Sequence, residues 1–589
     1  MTTSINKKNI IAQWAFDTRS ILGRLHLWLE DVDEVWEQQK IDDLSFVEPG
    51  LERALVMTAA VTALGGKLFG RYGDGKGAAK KELNQVKKDA DAITAYVMSE
   101  SLWYLSRSLP ENHAIMVCLG EGLMPKVGET PEMGSNPLLG FGRIYARPQV
   151  AKFLEDKVKN LINNDEYTWD MFYHDIKKSN ITIWGAAIDT LENTSRFAKG
   201  KETGPLTIIH IFDQPLCMTK PYEGYMGNLI VPGEVQRNAQ KNSLLLNFFT
   251  PREKVLDMIL HSYPGLEAKN VHVWTLRGES RKKRIGSLWD TWEKLGVHLV
   301  DSDWKLPSEL NAFTDSGTYK PCFLVKNWTD STTGEQHVFI CDGYAASAEA
   351  VQAASLSPLL DIHASIALFS SKFELSYEQE SQVMHLNPES PQFASQLEKL
   401  FAKELPAEKI EEYKNYIYEA KNAGIPMNVD LRIGDFFPEK VWRVMGICGY
   451  ILPDPYTGAE GVEQIAENIY RVTVRLATKK GCKEVKISLR LQESLEESQL
   501  VFNPLLTRFM NGENYEERAV KVSDSGRIRN ELQTLCSEAL EYLDNNHIKI
   551  YFNRIPIDVI TEEKQKILKE VLNWYRQNHP IWFRWLECE

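Results

Sequence analysis

A basic loop at residues 277–284 has the residue types of an anion-binding site. Five of its eight residues are arginine or lysine, and guanidinium groups donate paired hydrogen bonds to phosphate or carboxylate oxygens. The loop follows a short apolar run and opens a helical pattern, where unpaired backbone N–H groups and the helix dipole favour an anion. The predicted ligand-binding residues are Arg277, Gly278, Ser280, Arg281 and Arg284.

Two small residues of this loop have separate predicted roles. Gly278 lets the backbone approach a ligand closely, and Ser280 supplies a hydroxyl donor and a helix cap. The alternative interpretation is a solvated basic turn that forms salt bridges with acidic neighbours at the surface or at an interface. Basic side chains at a helix N-terminus are unfavourable without a counter-anion, which favours the ligand site.

A second candidate begins at Asp342, between an apolar strand-like run and a helix of small residues from Ala345 to Ser355. Open α/β sheets place their ligands beside such strand ends. We predict Asp342 as a catalytic base or a ligand of a substrate hydroxyl group, with Gly343 and Ser347 as further binding residues. The alternative is that Asp342 caps the helix that follows.

A weaker candidate set contains His210, Asp213 and Glu234. A histidine and carboxylates near strand ends can transfer protons or bind a divalent ion. Strand positions three residues apart point to opposite faces, however, so His210 is interpreted as a structural histidine. His272 and His363 receive the same interpretation, and no metal site is predicted.

The glycine-rich segment from Gly70 to Lys76 matches the phosphate-binding pattern G-x-x-x-x-G-K. That motif requires Ser or Thr next and a strand before it, whereas this chain has Gly77 and a preceding Ala-rich helical pattern. We therefore predict a loop between two helices. The other common catalytic and dinucleotide motifs are missing from the sequence, so no cofactor is named.

The elements that position these residues follow an α/β pattern. Val271 to Leu276, Ile285 to Leu295 and Val297 to Val300 read as a strand–helix–strand unit. Two short runs, Cys322 to Trp328 and His337 to Cys341, flank a polar turn and predict a hairpin. The predicted fold class is α/β, with a central, mainly parallel but mixed sheet that carries an antiparallel edge.

Four consecutive regions are predicted along the chain. They are an N-terminal helical region at 1–110, an α/β core domain at 111–370, a helical connector at 371–430 and a C-terminal α+β domain at 431–589. In the first region, apolar residues at helical spacing predict a helix: Ile21, Leu22, Leu25, Leu29 and Val32. In the last, Arg471 to Thr478 and Glu484 to Leu491 predict a hairpin, or a helix ending at Gly481 before a single strand.

Composition limits the classes of partner and compartment. The chain has 589 residues, 68 basic against 81 acidic side chains, and a net charge of −13, which disfavours nucleic acid and anionic membranes. Its eight cysteines form no C-x-x-C pair. The longest mostly apolar stretch, Leu55 to Leu64, is about half of the ~20 residues that a bilayer requires. No secretory signal is seen, and we predict a soluble cytoplasmic protein with reduced thiols.

These observations together predict a multi-domain enzyme or binder for a small anionic metabolite, such as a sugar phosphate or a nucleotide-like compound. The first alternative is a homo-oligomeric structural or scaffold protein without catalysis. Its assembly would use the helical flanks and the aromatic C-terminal residues Trp574, Trp582, Phe583 and Trp585. The second alternative is a sensor that binds the metabolite without converting it.

Overall fold

A computed structural model describes residues 25–28 and, with internal gaps, residues 49–491. In chain order, the strands are β1 (Leu25–Trp28), β2 (His113–Gly120), β3 (Ile144–Ala146), β4 (Thr182–Glu192), β5 (Leu206–Phe212), β6 (Tyr225–Pro232), β7 (Val271–Trp274), β8 (His298–Leu299), β9 (Asn327–Thr329), β10 (Gln336–Ala346), β11 (Ile362–Phe369), β12 (Asp430–Leu431), β13 (Val444–Tyr450), β14 (Val462–Ala466), β15 (Ile469–Thr478) and β16 (Gly481–Leu491). The helices are α1 (Pro49–Phe69), α2 (Lys80–Leu105), α3 (Pro148–Asn163), α4 (Trp169–Lys178), α5 (Thr194–Ala198), α6 (Gly233–Lys241), α7 (Arg252–Ser262), α8 (Glu279–Lys294), α9 (Tyr319–Cys322), α10 (Ser347–Ser355), α11 (Tyr377–Met384), α12 (Phe393–Phe401) and α13 (Ala407–Asn422).

These elements form two compact units. The described residues within 1–158, 173–215 and 443–589 form unit 1, and those within 159–172 and 216–442 form unit 2. Unit 1 is therefore built from stretches that are distant in sequence. The four consecutive regions predicted above stay a prediction.

Unit 1 contains a sheet of nine described strands in the order β1-β16-β15-β13-β5-β4-β2-β3, with β14 beside β15. Its core lies where α1 and α2 pack on this sheet, and the described side chains of α1 are almost all buried. Thr58 and Thr62 of α1 fit this apolar setting because each hydroxyl donates to the carbonyl four residues earlier, at 2.8 and 2.7 Å. Gly449 of β13 permits a close approach, since a Cβ there would lie 2.5 Å from the carbonyl oxygen of Ala59.

Unit 2 contains a sheet of seven described strands in the order β12-β11-β6-β10-β7-β8, with β9 beside β10. One face of this sheet packs on α6, α7 and α8. Strand alternation places Leu229, Val271, Val338 and Ile340 on that face. The predicted strand–helix–strand unit is confirmed as β7, α8 and β8, with β7 and β8 parallel.

The α/β class and the mixed sheets are confirmed, but the strands are mostly antiparallel. Among the described strand pairs, β2 with β4, β10 with β7, and β7 with β8 are parallel, and the other pairs are antiparallel. The physical reason is visible in β15 and β16, which pair antiparallel as a hairpin with only two residues of sequence between them. Of the two structures predicted for residues 471–491, the hairpin is therefore confirmed, and the helix followed by a single strand is wrong.

The helix predicted around Leu25 is wrong at residues 25–28, which form strand β1. This strand pairs antiparallel with β16, so that Leu25 lies opposite Leu491 and Trp28 opposite Ser488. Pairing with the edge of a sheet thus overrides the helical spacing of the apolar residues. The C-terminal aromatic residues predicted as an oligomer contact lie outside the described residues.

Two loop predictions are also resolved. The glycine-rich segment forms turns between α1 and α2, with positive φ at Gly73 and Gly77, so the predicted inter-helix loop is confirmed. The predicted hairpin is present as β9 with β10, although Cys322 ends the short helix α9. Across the described part of the chain, no helix combines the length and the apolar character needed to cross a membrane.

Candidate functional site

The parallel strands β7 and β10 bring the two predicted junctions side by side. Cys341 pairs with Trp274, and a Cβ on Gly343 would lie 3.0 Å from the hydroxyl oxygen of Thr275. Because parallel neighbours end at the same edge of a sheet, the basic loop after β7 adjoins the segment at residues 342–344. The two stretches singled out in the sequence thus meet within unit 2.

Helix α8 begins at this edge with glycine in the capping position. Gly278 has φ 146° and ψ 156° and provides no side-chain cap, so the prediction that Ser280 is the cap is wrong. Only glycine adopts this backbone conformation readily. A Cβ on Gly278 would find no atom within 4 Å, so there is open space beside the start of α8.

The prediction of a loop over residues 277–284 is wrong from Glu279 onward, because helix α8 begins there. The three arginines of this segment have different surroundings. Arg277 forms an exposed ion pair with Asp301, with Nη1 3.0 Å from Oδ1. Arg281 donates from Nε to the carbonyl oxygen of Tyr344 at 3.4 Å. The buried Arg284 places its guanidinium 5.7 Å from the centre of the Tyr344 ring. Two of the three arginines therefore converge on β10, and the third faces an acidic neighbour.

Asp342 is fully buried and tightly bound by other side chains. Arg252 donates from Nε and Nη2 to its two carboxylate oxygens, each at 2.7 Å, and Trp292 donates from Nε1 to Oδ2 at 2.7 Å. Arg252 also donates from Nη1 to the carbonyl oxygens of Phe248 and Thr250 at 2.6 Å. This network ties β10 to α7 and α8.

The geometry at Asp342 argues against both roles considered from the sequence. A general base must reach its substrate directly or through one water, whereas this carboxylate is enclosed by three donors. A cap must lie next to its helix, whereas β10 continues to Ala346 and α10 begins at Ser347. We therefore assign Asp342 to the buried ion pair with Arg252.

The remaining predicted residues occupy different positions. Gly343 lies on the opposite face of the sheet from Asp342, because successive strand residues alternate. Ser347 is the first residue of α10. The structure thus brings the α8 arginines to Tyr344 but does not gather every predicted residue on one face.

The weaker histidine–carboxylate set does not lie in one unit. His210 is fully buried in β5, and burial lowers its pKa to about 3, which fits a neutral structural histidine. Asp213 follows β5 in unit 1, whereas Glu234 lies in α6 of unit 2.

Arg252 and Trp292 were not identified as site residues from the sequence. In the sequence, Arg252 stands in the run Thr250-Pro251-Arg252-Glu253, which favours the start of a helix but does not identify the partner of Arg252. Arg252 lies 90 residues and Trp292 50 residues from Asp342, so no local spacing connects them. Phe248 and Tyr377 close the same region, with ring centres 5.5 Å apart, and burial raises the pKa of Tyr377.

Comparison of the sequence with protein-family models and with curated proteins finds no match.

Proposed function

We propose that unit 2 binds a small anionic metabolite at the start of α8. The anion, a phosphate or a carboxylate, is held by the backbone N–H groups of the first helical turn and by Arg281. Gly278 leaves room for the close approach, and Arg277, Ser280 and Arg284 of the same segment complete the proposed set. Gly343, on the other face of the sheet, and Ser347, at the start of α10, stay predictions from the sequence.

One observation carries this proposal. The N-terminus of α8 has no side-chain cap and adjoins open space at Gly278, at the edge that the parallel strands β7 and β10 share. An uncapped first turn has N–H groups that need an acceptor, and the helix dipole favours a negative one.

The buried Arg252–Asp342 pair supports the site without touching the ligand. It joins β10 to α7 and, through Trp292, to α8. Because these contacts fix β10 and α8 relative to each other, the donors of the proposed site do not have to rearrange when a ligand binds. A site held in this way discriminates better between ligands. The proposal concerns binding, and Asp342 has no catalytic part in it.

The proposal places this binder in the cytoplasm, without nucleic acid or membrane as a partner. In its support, four of the described cysteines are buried and outside disulfide bonds, namely Cys118, Cys322, Cys341 and Cys448, and the chain carries a net charge of −13. A homo-oligomer stays a prediction from the sequence.

A thermal-shift experiment tests the proposal. Inorganic phosphate, sugar phosphates, nucleotides and dicarboxylates are titrated into the full chain, and the melting temperature is followed. A ligand at 100 times its dissociation constant stabilises the folded state by about 2.7 kcal/mol, so at least one of these anions is expected to raise the melting temperature.

Two variants on the same helix locate the effect. Arg281→Ala is expected to weaken binding about tenfold or more, because it removes a charged donor. Lys294→Ala is the control, an exposed cation at the other end of α8, and it should bind as the wild type does. The proposal fails if no anion stabilises the wild type, or if Arg281→Ala and Lys294→Ala respond alike.

A further inference from the structure

Asn228 of β6 has a buried side-chain amide without a hydrogen-bond partner in the described part of the chain. The residue is 1% exposed, and neither Oδ1 nor Nδ2 makes a hydrogen bond. Because both atoms lack a partner, exchanging the oxygen and the nitrogen of the amide does not change this result. Buried polar side chains in folded proteins are nearly always hydrogen-bonded, so this exception requires a physical reason.

The neighbouring strands explain why the amide has no partner. Asn228 lies opposite Gly343 of β10 and Ile366 of β11, of which one has no side chain and the other an apolar one. The next residue, Leu229, faces α6, α7 and α8, so the side chain of Asn228 points to the other face of the sheet. The strands beside Asn228 therefore offer its amide neither a donor nor an acceptor.

Helix α10 packs over this second face. It contacts β6, β10 and β11, and its buried residues do not belong to the core on the side of α6, α7 and α8. Three of these buried residues are alanines, Ala350, Ala353 and Ala354. The amide of Gln352, also buried in α10, makes no hydrogen bond to Asn228. Asn228 thus points into the space between the sheet and a helix of small residues.

This space lies next to the proposed anion site. Gly343, the register partner of Asn228, precedes Tyr344, whose carbonyl oxygen accepts the hydrogen bond from Arg281. Along the sheet, one strand spacing of about 4.8 Å and one residue step of about 3.4 Å separate Asn228 from Tyr344. A ligand of the size of a nucleotide can therefore extend from the first turn of α8 to the amide of Asn228.

The chemistry of the amide defines the group that fits it. A primary amide presents an acceptor and a donor side by side. Its complement is a planar group with a donor next to an acceptor, such as the edge of a nucleobase, and asparagine pairs in this way with adenine. A buried amide without a partner destabilises the fold, and such a cost is typical of residues that serve binding.

We infer that Asn228 binds the base of a nucleotide whose phosphate lies at the start of α8. The inference rests on the proposed function and names the ligand class of that site. Because α10 covers the amide, the base enters only when α10 moves away from the sheet. The alanine side chains of α10 are small, so this movement exposes little apolar surface.

Thermal melts of Asn228→Leu without ligand test whether the amide is unsatisfied. Leucine replaces the two polar atoms by methyl groups, so we expect a higher melting temperature than that of the wild type. Asn228→Val, with a smaller side chain, is measured beside it to separate this effect from overpacking. Gln236→Met is the matched control, because the buried Gln236 accepts at Oε1 from the backbone N–H of Leu246 at 3.2 Å, and its melting temperature should fall.

Isothermal titration calorimetry of the full chain with adenosine monophosphate and with ribose 5-phosphate tests the binding role. The two ligands share the ribose and the phosphate and differ in the base. We expect the wild type to bind adenosine monophosphate about tenfold more tightly or better, because a paired contact to a base edge contributes about that much discrimination. Folded Asn228→Leu and Asn228→Val should bind the two ligands alike, whereas Gln236→Met should keep the preference.

The outcomes separate this inference from the proposed function. Lower melting temperatures for both Asn228 variants would show that a partner, such as an ordered water, satisfies the amide, and would overturn the inference. Equal affinities of the wild type for the two ligands, or a base preference that survives in both Asn228 variants, overturn it as well and leave the anion site in place. If neither these ligands nor any other anion binds, the proposed function fails together with the inference.

Discussion

At the scale of single residues, two Arg–Asp pairs of unit 2 have the same geometry and opposite surroundings. Arg252 and Asp342 are 5% and 0% exposed, whereas Arg237 and Asp361 are 56% and 69% exposed. Both pairs form two hydrogen bonds of 2.6–2.8 Å. The comparison isolates the effect of burial on an ion pair.

We expect Asp342→Ala to lower the free energy of unfolding by about 3–5 kcal/mol, because it leaves the Arg252 guanidinium buried without its counter-charge. Asp361→Ala should change it by less than about 1 kcal/mol, since water solvates the exposed Arg237. Urea unfolding followed by tryptophan fluorescence measures both. Equal effects of the two substitutions would contradict the assignment of Asp342 as a structural anchor.

The surroundings of His272 show what residue types alone could not reveal. His272 was read as a structural histidine because a single histidine in an apolar strand usually is one. Its contacts with His298 and His337 arise from strand pairing, and register across three strands has no signature in the sequence near any one of them. The same holds for Arg252 and Trp292 at Asp342.

At the scale of elements, two glycines of α8 and its N-terminal cap should respond in opposite ways to replacement by alanine: one substitution lowers the stability of the fold and the other raises it. Gly278 has φ 146° at the start of the helix, a conformation that disfavours any side chain. Gly286 lies within α8, and a Cβ there would make ordinary contact with Lys282 Cγ at 3.4 Å.

Gly278→Ala should therefore destabilise the fold by roughly 1–3 kcal/mol through backbone strain, whereas Gly286→Ala should stabilise it by up to about 1 kcal/mol through helix propensity. Thermal melts of the two variants measure the sign directly. A rise in melting temperature for Gly278→Ala would show that the backbone of Gly278 is not held at φ 146° and ψ 156°.

Local patterns predicted the elements whose signals are local. The β7–α8–β8 unit and the β15–β16 hairpin follow from apolar periodicity and turn residues within about 30 positions. The strand at Leu25–Trp28 could not be found in this way, because its partner β16 lies near the other end of the described chain. The balance of parallel and antiparallel strands was missed for the same reason, since it depends on which distant strands pair.

At the scale of the whole molecule, the two units are not consecutive in sequence. Residues 443–491 add β13 to β16 to the sheet that begins with the N-terminal strands. Composition shifts along the chain can mark a linker but not a return to an earlier unit. The unit changes at residues 442–443, and the boundary near residue 430 stays a prediction, because the local sequence does not indicate where the later strands pair.

Buried histidine also makes the stability of the molecule depend on pH, and His210 offers the cleanest test. Its folded pKa is about 3, against about 6.5 in an unfolded chain. The unfolded state therefore binds more protons between these values, and the free energy of unfolding decreases as the pH falls below 6.5. At pH 5.5 this single histidine accounts for a loss of about 1.4 kcal/mol relative to pH 7.5 and above.

Urea unfolding at pH 7.5 and 5.5, with a chelator present, should show that His210→Gln loses less stability on acidification than the wild type, by about that amount. An equal loss in the two proteins would mean that His210 is not held neutral by the fold.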